Sequence, residues 1–267
     1  LKPENPRTER FLNMSFKNKV VLITGGSAGI GAVTAEQFAK EGASIAIVGR
    51  NEVGLKAVAQ RCEKHGAPTL TIKADVAKDA EVKTIVQKTI EKFGKLDVLV
   101  NNAAILNNES LTSPDVMQAY DEVMGVNLRA VIYLTSLAAP YLVKTKGNTK
   151  GCVVNISSII STDVKAGYPF PSYCVSKAGV DSFTRMSAFE LASSGIRVNA
   201  VNPGPVHTNI IEHAGISGSW EETAKSTALK KVSEPKEVAN LILYLASDKA
   251  NSITGACYLI DNGMALM

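Results

Sequence analysis

The stretch Val20-Val21-Leu22-Ile23-Thr24-Gly25-Gly26-Ser27-Ala28-Gly29-Ile30-Gly31 decides the fold. An apolar, β-branched run ends in a glycine-rich turn, and a segment of helical period opens at residue 29. A strand that passes through a turn into a helix gathers unpaired main-chain N–H groups and the positive end of a helix dipole at one point. A diphosphate fits such a point if no side chain blocks it, and glycines keep the approach clear. A plain tight turn uses the same residues, so the position directly after a first strand carries the reading. The spacing is G-x-x-x-G-x-G, which departs from the dinucleotide fingerprint G-x-G-x-x-G.

Outward from this turn, short apolar runs recur at Ser44 to Val48, Thr69 to Lys73, Asp97 to Val100, Cys152 to Ile156, Arg197 to Val201 and Ala256 to Ile260. Segments of helical period lie between them, at residues 29–41, 52–65, 79–93, 114–146, 173–194 and 235–247. Strands apolar on both faces, alternating with helices, demand right-handed crossovers and a parallel sheet covered on each side. The expectation is an α/β, single-domain, Rossmann-type doubly wound sandwich with seven strands. Residues 14–267 form the domain, and residues 1–13, with two prolines, five charges and no periodicity, read as a flexible arm ahead of it.

Composition narrows the function. The 267 residues are 45% hydrophobic and 20% charged, with a net charge of +4 and no basic block, which argues against nucleic acid as a partner. Four well-separated cysteines, with no C-x-x-C pair and no histidine at ligand spacing, predict neither disulfides nor a metal site. No apolar run has the length of a membrane span or a signal peptide, so a cytoplasmic protein is expected. With no G-x-S-x-G elbow, hydrolase chemistry loses support.

Two further features carry chemistry. In a dinucleotide fold an acidic residue about 20 positions beyond the glycines takes the adenosine ribose hydroxyls, whereas an Arg there accommodates a 2′-phosphate. The second run ends in Gly49-Arg50-Asn51, with no carboxylate. Arg50 therefore favours NADP(H), with NAD(H) as the alternative. Tyr173 and Lys177 lie four apart and so share one helix face. A free phenol has a pKa of about 10, and a neighbouring ammonium would lower it towards the range where it exchanges protons efficiently.

Thr24-Gly25-x-x-x-Gly29-x-Gly31, Asn101-Asn102-Ala103-Ala104, Asn127, Ser157-Ser158, Tyr173-x-x-x-Lys177 and Pro203-Gly204 follow one another along the chain. In that order and spacing the chain from residue 16 onwards resembles the classical short-chain dehydrogenases/reductases of the carbonyl reductase and 3-oxoacyl reductase type. The resemblance implies an oxidoreductase that moves hydride between nicotinamide and a carbonyl or secondary alcohol. Tyr173 would be its general acid/base, and Lys177 would tune Tyr173 and hold the nicotinamide ribose. Ser158 would stabilise the reacting oxygen, and Asn127 would hold a water linked to Lys177. The stretch from Ser158 to Tyr173 is longer than the family's usual one, which leaves Ser157 as the substitute serine. Cofactor contacts fall on Gly25, Ser27, Gly29, Ile30 and Gly31 in the turn, and on Arg50, Asp75 and Val76. Further contacts are expected at Asn101 and Ala103, at Tyr173 and Lys177, and at Pro203, Gly204, Val206 and Thr208.

For substrate, Ile159 to Ser172 with Tyr168 and Phe170, and a lid at Asn209 to Thr227 with Ile210, Ile211, Ile216 and Trp220, point to an apolar carbonyl compound. The resemblance also implies a homotetramer or homodimer built on the long helices and the last strand. A non-catalytic cofactor-sensing protein and an epimerase or dehydratase of the same superfamily are the competing readings. An intact Tyr173 and Lys177 argues against the first, and the short chain against the second.

Overall fold

Strand β1 (Val20–Thr24) is buried along its whole length and occupies the middle of a sheet that alternates its side chains between two cores. Val21 and Ile23 enter one core, while Val20 and Leu22 enter the other, as the two-residue period of a strand requires. The computed structural model describes residues 14–143, 151–163, 165, 170–215 and 219–267. The leader 1–13 lies outside them.

Around β1 stand β2 (Ser44–Gly49), β3 (Thr69–Lys73), β4 (Val98–Asn101), β5 (Cys152–Ile156), β6 (Arg197–Pro203) and β7 (Cys257–Ile260). Their spatial order is β3-β2-β1-β4-β5-β6-β7, and every pairing is parallel. Among the described residues the α-helices include α1 (Gly29–Lys40), α2 (Glu52–Glu63), α3 (Asp79–Phe93), α4 (Val116–Met124), α5 (Ala130–Leu142), α6 (Pro171–Leu191), α7 (Ile210–His213), α8 (Trp220–Lys225) and α9 (Pro235–Ala246). Phe38 of α1, Leu55 of α2 and Ile242 of α9 fill the core on one face of the sheet, with Val21, Ile23, Ile45 and Ile47. Ile85 of α3, Leu134 of α5 and Ala188 of α6 fill the core on the other, with Leu22, Val48, Leu99 and Val153. Strand order reverses between β1 and β4, and the crevice at the carboxyl ends of these two strands is where such sheets place ligands.

Three boundaries differ from the sequence reading. The helix expected over 114–146 is interrupted by a π turn at Gly125–Arg129, one extra residue that aims Asn127 inwards instead of along the helix surface. By length and composition Val116–Leu142 could cross a membrane, yet Val126, Ala130, Leu134 and Ala138 bury its apolar stripe against the sheet. Helix α6 begins two residues early, because Pro171 takes the first-turn position that needs no N–H. The lid contributes two short helices, α7 and α8, whose periods are too brief to register in a sequence window. Ile216, Gly218 and Tyr168 lie outside the described residues.

Glycine at position 31 is a packing requirement. A Cβ there would stand 2.3 Å from the Gly25 carbonyl oxygen and 2.5 Å from the Asn102 Nδ2. Gly31→Ala is expected to cost about 1–3 kcal/mol, several degrees in Tm, through overpacking of a rigid turn. Gly125→Ala, whose Cβ would meet nothing nearer than Ala77 Cβ at 3.9 Å, is expected to leave Tm within a degree or two. Thermal unfolding of the two variants side by side checks the contrast.

Candidate active site

The glycine turn is clamped to the neighbouring strand. Thr24 Oγ1 accepts the N–H groups of Asn102 and Ala103, each at 3.0 Å, and Asn102 Nδ2 donates to the carbonyls of Thr24 (2.9 Å) and Gly25 (3.2 Å). Gly25 takes φ +65°, where a Cβ would stand 2.7 Å from the same amide. Helix α1 opens after Ala28, which is extended and offers no side-chain cap. Its first N–H groups are therefore left for a ligand. Gly29 faces the methyl of Thr208, whose Cγ2 an added Cβ would meet at 3.3 Å, so the turn and the Pro203–Thr208 loop form two walls of one crevice.

That crevice is a cavity of about 920 Å³ running from Arg50 to Tyr173. At one end lie Ser27, Gly49, Arg50, Asn51, Asp75 and Val76. Arg50 is exposed and makes no ion pair among the described residues, whereas the nearby Lys73 is held by Glu52 at 2.6 Å. Asp75 bends its loop by accepting the Ala77 N–H at 3.0 Å, and its own N–H donates to Glu81 (2.7 Å). Val76 is buried beside it.

The other end holds the reactive groups. Pro171 starts α6, so Tyr173 and Lys177 lie in its first two turns and both border the cavity. Ser158 lies two residues beyond β5, where its Oγ accepts the Ile160 N–H at 3.4 Å and faces the Tyr173 hydroxyl at the cavity wall, while Ser157 turns away to donate to the Lys177 carbonyl at 3.1 Å. This separates the two candidate serines. Lys177 is buried, donates from Nζ to the Ile156 carbonyl at 2.8 Å, and stands 5.4 Å from the centroid of the Tyr173 ring.

Electrostatics here depart from the sequence expectation. Removal of water by the surrounding protein pushes the Tyr173 phenol well above its ordinary value, and the Ser158 hydrogen bond offsets this only in part. Burial also lowers Lys177 to about 8, opposed by Asp181. Desolvation thus outweighs the expected lowering of Tyr173 by Lys177.

The remaining candidates divide. Ala103, Pro203, Gly204, Val206, Thr208, Ser27, Gly25, Gly29 and Ile30 border the cavity, and Gly31 and Asn101 do not. Gly31 acts through packing. Asn101 is turned into the sheet, donating to Thr135 Oγ1 at 3.1 Å and Asn155 Oδ1 at 2.8 Å; it is Asn102 that reaches the crevice. Asn127 is fully buried. Its side chain brackets Ile105, accepting that N–H and donating to that carbonyl, each at 2.9 Å, and also donates to Ser176 Oγ at 3.2 Å. Both amide protons are spent on protein, so a water held by Asn127 would sit at its main chain.

Beyond Tyr173 the wall becomes apolar, with Ile105, Leu106, Ile160, Phe170, Ile211 and Met264. Leu106 carries no periodic signal in its loop, and Met264 reaches the cavity from a single 3-10 turn, Met264–Leu266, too short to register as a period. Ile210 and Ile211 line the cavity, whereas Trp220 packs edge-on against His207, ring centroids 4.7 Å apart, outside it.

Comparison with known proteins gives the same picture. A family model described as Enoyl-(Acyl carrier protein) reductase matches residues 25–265. The 3-oxoacyl-[acyl-carrier-protein] reductase FabG of Thermotoga maritima is 35% identical over 258 residues, covering 95% of this chain and all of that protein. A short-chain type dehydrogenase/reductase from Mycobacterium marinum superposes with a TM-score of 0.88 at 28% identity, covering 96% of this chain and 99% of the other. A short chain dehydrogenase from Burkholderia cenocepacia, solved in complex with NADP, superposes with a TM-score of 0.83 at 31% identity, over 94% of this chain and 99% of that one. With the glycine turn, the parallel sheet and the paired Tyr173 and Lys177 already in place, the match across nearly the whole chain means that this protein belongs to the short-chain dehydrogenase/reductase family of oxidoreductases.

Proposed function

We propose that this protein is an NADP(H)-dependent reductase of an apolar carbonyl compound, and the observation that carries the reading is the meeting of Tyr173, Ser158 and Lys177 at the end of a crevice whose other end is Arg50. The residues fit a dinucleotide. The glycine turn leaves helix N–H groups for a diphosphate, Arg50 would pair with a 2′-phosphate, and Val206, Thr208 and Lys177, which line the cavity, would hold the nicotinamide half. When bound, the nicotinamide supplies the hydride. The NADP complex of the Burkholderia relative supports the choice of cofactor, and NAD(H) is the alternative that the Arg50 test decides.

At the carbonyl, Tyr173 donates its phenolic proton to the oxygen as charge develops there, and Ser158 donates a hydrogen bond to the same oxygen. A phenol held above its ordinary pKa stays protonated at neutral pH, which suits the acid of a reduction better than the base of an oxidation. The lining of Ile105, Leu106, Ile160, Phe170 and Met264 excludes water and favours an apolar substrate. The name of the Thermotoga relative adds 3-oxoacyl thioesters to the candidate substrates. Val175, Met186 and Phe189 of α6 and Met117 and Ile132 beside it are exposed, which supports assembly of identical copies through these helices. Four free cysteines agree with a reducing, cytoplasmic setting.

Tyr173→Phe is expected to lower kcat by roughly 10²–10⁴-fold with NADPH affinity retained; oxidation of NADPH followed at 340 nm, with a panel of diketones, quinones, ketosteroids and 3-oxoacyl thioesters, checks it. Undiminished turnover in this variant would remove Tyr173 from the reaction. Arg50→Glu is expected to reduce kcat/KM for NADPH by about ten- to a hundredfold while sparing NADH, and an equal loss with both cofactors would rule out recognition of a 2′-phosphate. Because Lys177 is a cation below about pH 8 and neutral above it, kcat/KM for reduction is expected to hold through neutrality and fall as pH rises past that value. Light scattering is expected to report a dimer or tetramer, and Phe189→Glu to shift it towards the monomer.

A further inference from the structure

We propose that Asp181 is a positioning residue for this reaction: a buried carboxylate that holds Lys177 as an ammonium and anchors the main chain of Ser158 from beneath the site. The inference rests on the reading above but concerns a residue that borders neither cofactor nor substrate. Asp181 lies one helical turn beyond Lys177 on α6 and is only 3% exposed. Its Oδ2 accepts from Ser161 Oγ at 2.6 Å, and Asn202 Nδ2 lies 3.0 Å from Oδ1 and 2.9 Å from Oδ2. The same Asn202 nitrogen reaches the Ser158 carbonyl at 3.3 Å and Ser161 Oγ at 3.1 Å. One amide has two protons, so it is shared between the carboxylate and the backbone of the serine that meets Tyr173.

Among the described residues the hydrogen-bond partners of this carboxylate, Ser161 and Asn202, carry no charge. The titratable groups placed around it there are Tyr173, Lys177 and Arg185 on its own helix, Glu109 at the start of that helix, and Cys257 on β7. Arg185 is turned towards the Cys257 sulfur at 3.4 Å. The Cys257 thiol, 4.0 Å from the Asp181 carbonyl, is pushed up to about 11 by burial and by the Asp181 charge and is therefore neutral. Glu109 accepts the Ser172 N–H at 2.9 Å. Lys177 is the remaining cation. Its burial favours the neutral amine, and Asp181 is the group that opposes this. A lysine without that carboxylate would lose its proton within the working pH range, and with it the charge that faces Tyr173 and the ribose.

Asp181→Asn keeps the shape and removes the charge; Ser161→Ala keeps the charge and removes the hydroxyl that bonds Asp181 and Asn202. The pH profile of kcat/KM for carbonyl reduction and the pH dependence of NADPH binding, followed by nucleotide fluorescence, are measured for both variants and the parent. In Asp181→Asn the alkaline limb of both profiles is expected to move down by about half a pH unit or more. In Ser161→Ala that limb is expected to stay in place while kcat drops severalfold at unchanged KM for NADPH. A folded Asp181→Asn protein with an unmoved limb overturns the inference. Should that variant fail to fold, unchanged kcat in Ser161→Ala overturns it. Absence of turnover in the parent itself would count against the proposed reaction instead, and the binding profile would still decide the role of Asp181.

Discussion

The hydroxyl of Thr24 holds the active end of this molecule together. It accepts two main-chain N–H groups from the end of β4, and the Asn102 amide returns two hydrogen bonds to the carbonyls of the turn that follows β1. Buried main-chain groups left without partners would cost about 1–3 kcal/mol each. The clamp therefore binds the glycine turn to the strand across the point where the strand order reverses. The crevice opens there because the two chains diverge above a junction that cannot separate. Gly31 is obligatory for the same reason, since the Asn102 amide occupies the space that a Cβ would need.

The protein trades solvation for position throughout the site. Lys177, Asp181 and Asn127 are polar and nearly inaccessible, and each is satisfied by named partners. Asn127 spends its amide on Ile105 and Ser176, Lys177 on the Ile156 carbonyl, and Asp181 on Ser161 and Asn202. Such networks favour one arrangement because displacing a member frees the partners of the others, although Asn202 Oδ1 is left without a partner among the described residues. The ends of β4, β5 and β6 and the start of α6 are thus held in one geometry.

Much of this was legible in the sequence, for physical reasons. The five inner strands are short runs buried on both faces, which no surface element imitates, and Tyr173 and Lys177 share a helical spacing that the motifs around them single out. What remained hidden depends on tertiary geometry. Ser157 and Ser158 are adjacent and chemically equal, and only the opposite directions of neighbouring residues at a strand end separate them. Asn101 and Asn102 divide in the same way, the first into the sheet and the second into the crevice. The sign of the Tyr173 shift was misread because sequence displays the neighbouring cation and conceals the loss of water. Leu106 reaches the cavity from a loop and Met264 from a single 3-10 turn, where no period marks them.

The π turn at Gly125–Arg129 sets a limit on how this chain tolerates change in length. One residue more than an α-helix needs is wound into that turn, and the helix beyond it keeps its phase. Deleting any one of those five residues would restore a regular helix with better local hydrogen bonding. Ala130, Leu134 and Ala138 would keep their places on the sheet, because the surplus residue is taken up within the turn, but the Asn127 amide would be withdrawn from Ile105. A more regular helix would in this way keep its apolar stripe and lose its hold on the loop, and the irregularity is what lets one helix serve both registers, helix on sheet and helix on loop.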